Sequence, residues 1–211
     1  MIRRYYLIGV VGVGKSTLRE QLREQLPVAS IYEEWPEAMS REVLCSRESM
    51  SQCSAEEIQD WIFSQLATKS RLISADKAEL QIIDRSPLDT FAFYPPQEWK
   101  MRASHMIDAL RMKSATPLAA GELIFLTGSP KAIFERMDTA RNYSINAIAQ
   151  QQSAFEILAT YLAEKYGYKM RRIDVRELSS QQIADCALDI IALDDYSPLD
   201  VDVVVREIEY A

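Results

Sequence analysis

The stretch GVVGVGKST fits the pattern G-x-x-x-x-G-K-[ST] through Gly9, Gly14, Lys15 and Ser16. That spacing suits phosphate binding. Gly9, Gly12 and Gly14 permit backbone conformations that turn successive amides inward. Val13 and Thr17 complete the loop, and a helix beginning near Lys15 adds the positive end of its dipole. Lys15 is expected to reach the β and γ phosphates of ATP, and Ser16 to offer its hydroxyl to Mg2+. Asp84, at the end of the apolar run LQIID, is the second metal candidate. In a parallel sheet its carboxyl end emerges beside the phosphate loop, where a carboxylate holds the water shell of the ion. The plain alternative is a salt bridge with Arg85 or a helix cap.

These residues need a frame, and strand-like apolar segments alternate with helical ones in the manner of a parallel sheet covered on both faces. The predicted strands are 5–10, 28–34, 79–84, 122–127 and a weaker 168–175. The second ends in two carboxylates, Glu33 and Glu34, before Trp35 and Pro36. Leu18, Leu22 and Leu26 share a stripe on a helix closed by Pro27, and a less regular helical stretch follows from Pro36 to about residue 50. Ser54 and Glu57 form a capping box for a long helix carrying Ile58, Trp61, Ile62, Gln65 and Leu66. Ser129-Pro130 opens another helix, 146–166 is expected to end at Gly167, and Ser180 opens one to about 193. The remainder, 194–211, is acidic with a short valine run, and is expected as a tail packed on the domain surface or on a partner chain.

The 211 residues, 48% hydrophobic, suit one globular domain. A net charge of −7 argues against nucleic acid or an anionic membrane as the main partner, since both need a field of clustered Lys and Arg. Apolar runs are strand-sized, no leader cleavage pattern precedes the loop, and a cytoplasmic protein is expected. Cys45, Cys53 and Cys186 lack C-x-x-C spacing and read as reduced thiols. The single His105 leaves little room for histidine-based metal chemistry.

In order along the chain, GVVGVGKST, YEEWPE, WIFSQ and DRSPLDTFAF resemble the motifs of the deoxynucleoside kinases and, more loosely, the thymidylate kinases. The resemblance spans roughly residues 5 to 145. It implies a P-loop kinase domain over 1–193, with a three-layer α/β fold, a five-stranded parallel sheet, a lid near 136–146 and a homodimer. It also implies that Glu34 is the base for the acceptor hydroxyl, with Glu33 the second candidate. Arg85 would reach the acceptor oxygen and phosphates, although Asp84-Arg85-Ser86 has Asp where the deoxynucleoside kinases have Glu. Gln65 falls at the base-reading glutamine, with Trp61 and Phe63 able to wall the base. Arg71 is a further candidate near the acceptor. FERMDTARNYS resembles the lid, whose arginines would be Arg136 and Arg141.

A monophosphate acceptor needs its own arginine clamp, whereas a neutral nucleoside tolerates nearby carboxylates. The thymidylate kinases usually carry Arg-Glu-Pro-Gly-Gly after the second strand, and this chain has Tyr32-Glu33-Glu34. The expectation is therefore ATP- and Mg-dependent transfer to a small hydroxyl acceptor, a deoxynucleoside first. Monophosphates remain open because Arg71, Arg85, Arg102 and Arg111 could clamp a phosphate. Other hydroxyl acceptors, a modified base in DNA included, and an ATPase or regulator without a small acceptor also remain. No N-K-x-D guanine motif occurs.

Overall fold

A computed structural model of the chain describes residues 1–35, 54–112, 117–137 and 143–211. Five strands, β1 (Arg3–Ile8), β2 (Ser30–Tyr32), β3 (Leu80–Asp84), β4 (Glu122–Thr127) and β5 (Arg171–Asp174), form one parallel sheet in the order β2-β3-β1-β4-β5. Tyr5, Tyr6, Leu7 and Ile8 of the central strand are all at most 2% exposed. Successive strand residues point to opposite faces, so both faces of the sheet are covered, as a parallel sheet requires.

The covering helices are α1 (Lys15–Gln25), α2 (Ala55–Ala75), α3 (Trp99–Met112), α4 (Pro130–Arg136), α5 (Ile145–Tyr166), α6 (Ser180–Ala192) and α7 (Val201–Tyr210). Two 3-10 segments, Pro87–Phe93 and Pro96–Glu98, connect β3 to α3. Helix α1 packs on α6, while α2, α3 and α7 pack in succession and the first 3-10 segment leans on α5. The expected capping box opens α2: the Ser54 side chain accepts from the Glu57 amide, and Glu57 accepts from the Ser54 amide. Gly167 closes α5 with φ 63°.

Two expectations change. The second strand is shorter than the predicted 28–34, because Glu33 and Glu34 leave the ladder to meet arginines. The segment expected as an acidic tail packed on the domain surface or on a partner chain packs on the domain as a regular helix. Asp200 caps α7, whose Val201, Val204, Val205 and Ile208 are buried against α3. Their spacing of three and four residues is helical, and the acidic residues occupy the remaining faces. The expected helical stretch after Pro36 lies outside the described residues, as do Cys45 and Cys53. Cys186 is a free, half-buried thiol. Among the described residues no helix is long and apolar enough to cross a membrane.

Candidate active site

Strand β1 has β3 and β2 on one side and β4 and β5 on the other. The crevice at the carboxyl end of such a strand is where parallel α/β sheets bind ligands. The phosphate loop leaves β1 at that point. Gly9 sits at φ 138°, and a Cβ there would lie 2.5 Å from the Leu126 carbonyl oxygen, so the loop passes β4 only with glycine. Gly14 caps α1 at φ 107°, which turns the chain from the loop into the helix. The Lys15 Nζ donates to the carbonyls of Gly9 (2.7 Å) and Val10 (2.9 Å), folded over the cradle it would share with phosphates. Burial, reinforced by nearby Arg85, lowers its pKa to about 8 against the pull of Asp84, Asp89 and Glu34. Ser16 and Thr17 are exposed at the helix start.

Asp84 ends β3, 1% exposed. Its Oδ2 accepts from Arg19 at 3.2 Å, and its Oδ1 is buried without a hydrogen-bond partner. The alternative salt bridge with Arg85 does not form, because Arg85 pairs with Glu34 and Asp89 instead. A buried carboxylate oxygen without a partner suits a hard cation bound through water and phosphate oxygens. No group of three or more His, Cys, Asp or Glu side chains gathers among the described residues, so an ion here would rest on Ser16, Asp84 and the nucleotide itself. Arg19 was not singled out from the sequence. Its place four residues after Lys15, on the same helical face, was the available signal.

Arg85 adopts φ 68°, a left-handed conformation for a residue with a side chain. From there its Nε donates to Glu34 Oε1, and its Nη1 to Asp89 Oδ2 at 3.2 Å. The Asp89 Oδ1 in turn accepts from the Ser86 amide, closing a capping box at the 3-10 segment. Burial raises the Glu34 pKa, but Arg85 and Lys15 outweigh it and hold the carboxyl below its usual range. For Asp89 burial wins, and its pKa is pushed up to about 6 despite Arg85 and Lys15. Asp89 too was missed, although Ser86-x-x-Asp89 is a capping spacing and Asp89 stands four residues after Arg85.

Glu34, Arg85 and Asp89 line a 410 Å3 pocket, whose walls also include Trp35, Trp61, Phe93 and Tyr143. Trp35 and Trp61 pack with ring centroids 4.9 Å apart. Of the two neighbouring glutamates only Glu34 enters the pocket. Glu33 faces Arg19 (3.8 Å) and Arg23 (3.9 Å). Phe63 also lines the pocket. Gln65 does not: it is 4% exposed, enclosed by protein in α2. The amide that lines the pocket is Gln59, whose Oε1 accepts from Arg102 and whose Nε2 meets His105 Nδ1 at 3.1 Å. Arg71 is exposed on α2 and is not part of the wall. His105 is a helix-surface residue.

Arg136 lies elsewhere. It donates to the carbonyls of Val175 (2.8 Å) and Arg176 (3.0 Å), and with Gly12, Gly14, Thr17 and Ser180 borders a 390 Å3 cleft on the α6 side of the loop. Its guanidinium is thus committed to the segment between β5 and α6, next to the loop and outside the pocket lined by Glu34, Arg85 and Asp89. Arg141 lies outside the described residues, as do the other residues of 138–142 in the predicted lid. Helix α5 reaches the loop through Gln151, whose Oε1 accepts from the Val11 amide at 3.0 Å. No pattern in the sequence singled out that glutamine.

The sheet order, the glycine-rich loop after β1 and the acid at the end of β3 define a P-loop protein with the α/β fold of nucleoside and nucleotide kinases. Residues 4–180 match the AAA_28 family, described as an AAA domain, and the chain belongs to that family. Among solved structures it is similar to deoxyadenosine kinase from M. mycoides, with TM-score 0.62 and 14% identity over 90% of this chain and 100% of that one. Thymidylate kinase from Candida albicans is similar at TM-score 0.61 and 16% identity, over 94% and 98%. Shikimate kinase from Bacteroides thetaiotaomicron gives TM-score 0.50 and 16% identity, over 92% and 100%. None of the curated proteins matches the sequence.

Proposed function

We propose that this chain is an ATP- and Mg-dependent phosphotransferase acting on a small hydroxyl acceptor, a deoxynucleoside phosphorylated at its 5′-hydroxyl. The observation that carries the acceptor class is the charge of the pocket's lining. Two carboxylates, Glu34 and Asp89, share one arginine, Arg85, so the described wall offers no uncommitted cation to a phosphorylated acceptor. A neutral hydroxyl compound fits that lining, and the aromatic wall fits a planar base. Kinases that act on deoxyadenosine and on thymidylate share the fold, so the charge pattern is what separates the two acceptor classes.

In this reading Lys15 leaves the Gly9 and Val10 carbonyls for the triphosphate. Glu34, ionised at neutral pH, orients the acceptor hydroxyl and takes its proton, while Arg85 neutralises charge developing on the transferred group. Ser16 and Asp84 would hold Mg2+, which supplies charge neutralisation on the phosphate oxygens. Arg136 would border the donor nucleotide, and Arg141 would belong to the lid. A homodimer and separate lid movement are part of the same proposal.

The test is acceptor-dependent ADP release from Mg-ATP with separate pools of nucleosides, nucleoside monophosphates and other hydroxyl compounds. The nucleoside pool is expected to respond. A response confined to monophosphates would move the assignment to a nucleotide kinase, and no response to any acceptor would favour a P-loop ATPase or regulator.

A further inference from the structure

Lys69 on α2 is a buried cation, 3% exposed, that the proposed transfer does not use. Its Nζ donates to the Asp84 carbonyl in a short contact, and lies 3.4 Å from the carbonyls of Glu34 and of Arg85. These are backbone oxygens at the carboxyl ends of β2 and β3, where the strands part and the ladder no longer supplies donors. An ammonium has three donors and no acceptor, which matches three converging carbonyls.

We propose that Lys69 is a positioning residue of the transfer site: it gathers these carbonyls and so fixes the left-handed turn that aims Arg85 at Glu34. The turn is held from two sides. The Arg85 amide donates to the Leu7 carbonyl of β1 at 2.9 Å, and the Arg85 carbonyl faces Lys69. A side-chain-bearing residue at φ 68° persists only where its surroundings over-determine it. Burial lowers the Lys69 pKa to about 8, against the attraction of Asp84, Glu34 and Asp89, so the cation is kept there at a cost. An apolar side chain of similar length would pack the same space without that cost, which argues that the lysine serves geometry more than stability. Helix α2 also supplies Trp61 and Phe63 to the pocket, so Lys69 joins the acceptor wall to the Glu34–Arg85 pair.

The kinetic part of the test rests on the phosphotransferase reading, and the structural part does not. In a crystal structure of Lys69→Met, Arg85 is expected to leave the left-handed region and its hydrogen bond to Glu34 to be lost. With whichever acceptor responds in the pools above, turnover should fall about 100-fold, the scale of a small misplacement of reacting groups. The KM for ATP should change by less than about threefold, since the phosphate loop is untouched. In Lys69→Ala, added methylammonium or ethylammonium should restore part of the turnover, while a neutral alcohol of the same size should not. A folded Lys69→Met protein that keeps Arg85 at positive φ and bonded to Glu34 would overturn the proposal. So would unchanged turnover, or a folded Lys69→Ala protein that no amine rescues. If no acceptor responds, the function falls and the crystal structure still decides the role of Lys69.

Discussion

At the scale of single residues, the site depends on one arginine held between two carboxylates of different character. Glu34 is stabilised as an anion and Asp89 is pushed toward its neutral form. Replacing Glu34 by Gln keeps the shape and removes the proton acceptor. Acceptor-dependent turnover should fall about 100-fold or more, with ATP binding retained, and steady-state kinetics would show it. A Glu34→Gln protein with full turnover would remove the glutamate from the chemistry. Asp89 predicts an acid limb. As pH falls through about 6 its carboxylate takes a proton and its hold on Arg85 weakens, so kcat/KM should decline there and Asp89→Asn should abolish that limb. Stability runs the other way. The folded pKa exceeds the unfolded value of 3.8, so the folded chain binds the extra proton between these values, and the Asp89 contribution to stability falls as pH rises across that window.

At the scale of elements, the loop and α2 carry different kinds of constraint. The loop is conformational: at Gly9 a methyl group would meet the Leu126 carbonyl oxygen at 2.5 Å, with φ at 138°. Gly9→Ala should therefore abolish nucleotide-dependent thermal stabilisation. Lys15→Ala should abolish it as well, by removing the cation and leaving the backbone intact; a shift in melting temperature on adding Mg-ATP measures both. Helix α2 is a support whose start is set by Ser54. Ser54→Ala should cost about 1 kcal/mol, since it removes the side-chain acceptor for the Glu57 amide, and chemical denaturation would read it. The capping box, Gly167 and the glycine loop were all legible in the sequence because each is a local device. Gln65 misled because interruption of an apolar face does not say which part of a long helix borders a cavity, and Gln59 holds that place.

At the scale of the molecule, α7 completes the layer that covers α3, and the acidic character of its sequence hid that role. Ile208→Ala should destabilise the protein by roughly 2–5 kcal/mol, the range for truncating a buried aliphatic side chain. Turnover per folded molecule should stay unchanged, because Ile208 packs in the core and no residue of α7 lines the pocket. Equal loss of turnover and stability in the folded fraction would mean instead that α7 communicates with the site.

The sequence by itself determined the phosphate loop, the alternation that builds a parallel sheet and the acid at the end of β3, and it named Glu34 and Arg85 as separate candidates. Each depends on neighbours in the chain or on a motif of fixed spacing. Only the tertiary structure decided that Asp84 pairs with Arg19, that Arg85 turns left-handed to join Glu34 and Asp89, and that Lys69 and Gln151 reach the strand ends and the loop. These partners are separated by up to 140 residues in the chain. Charge and hydrogen-bond geometry between such distant groups exist only once the sheet sets their strand ends side by side.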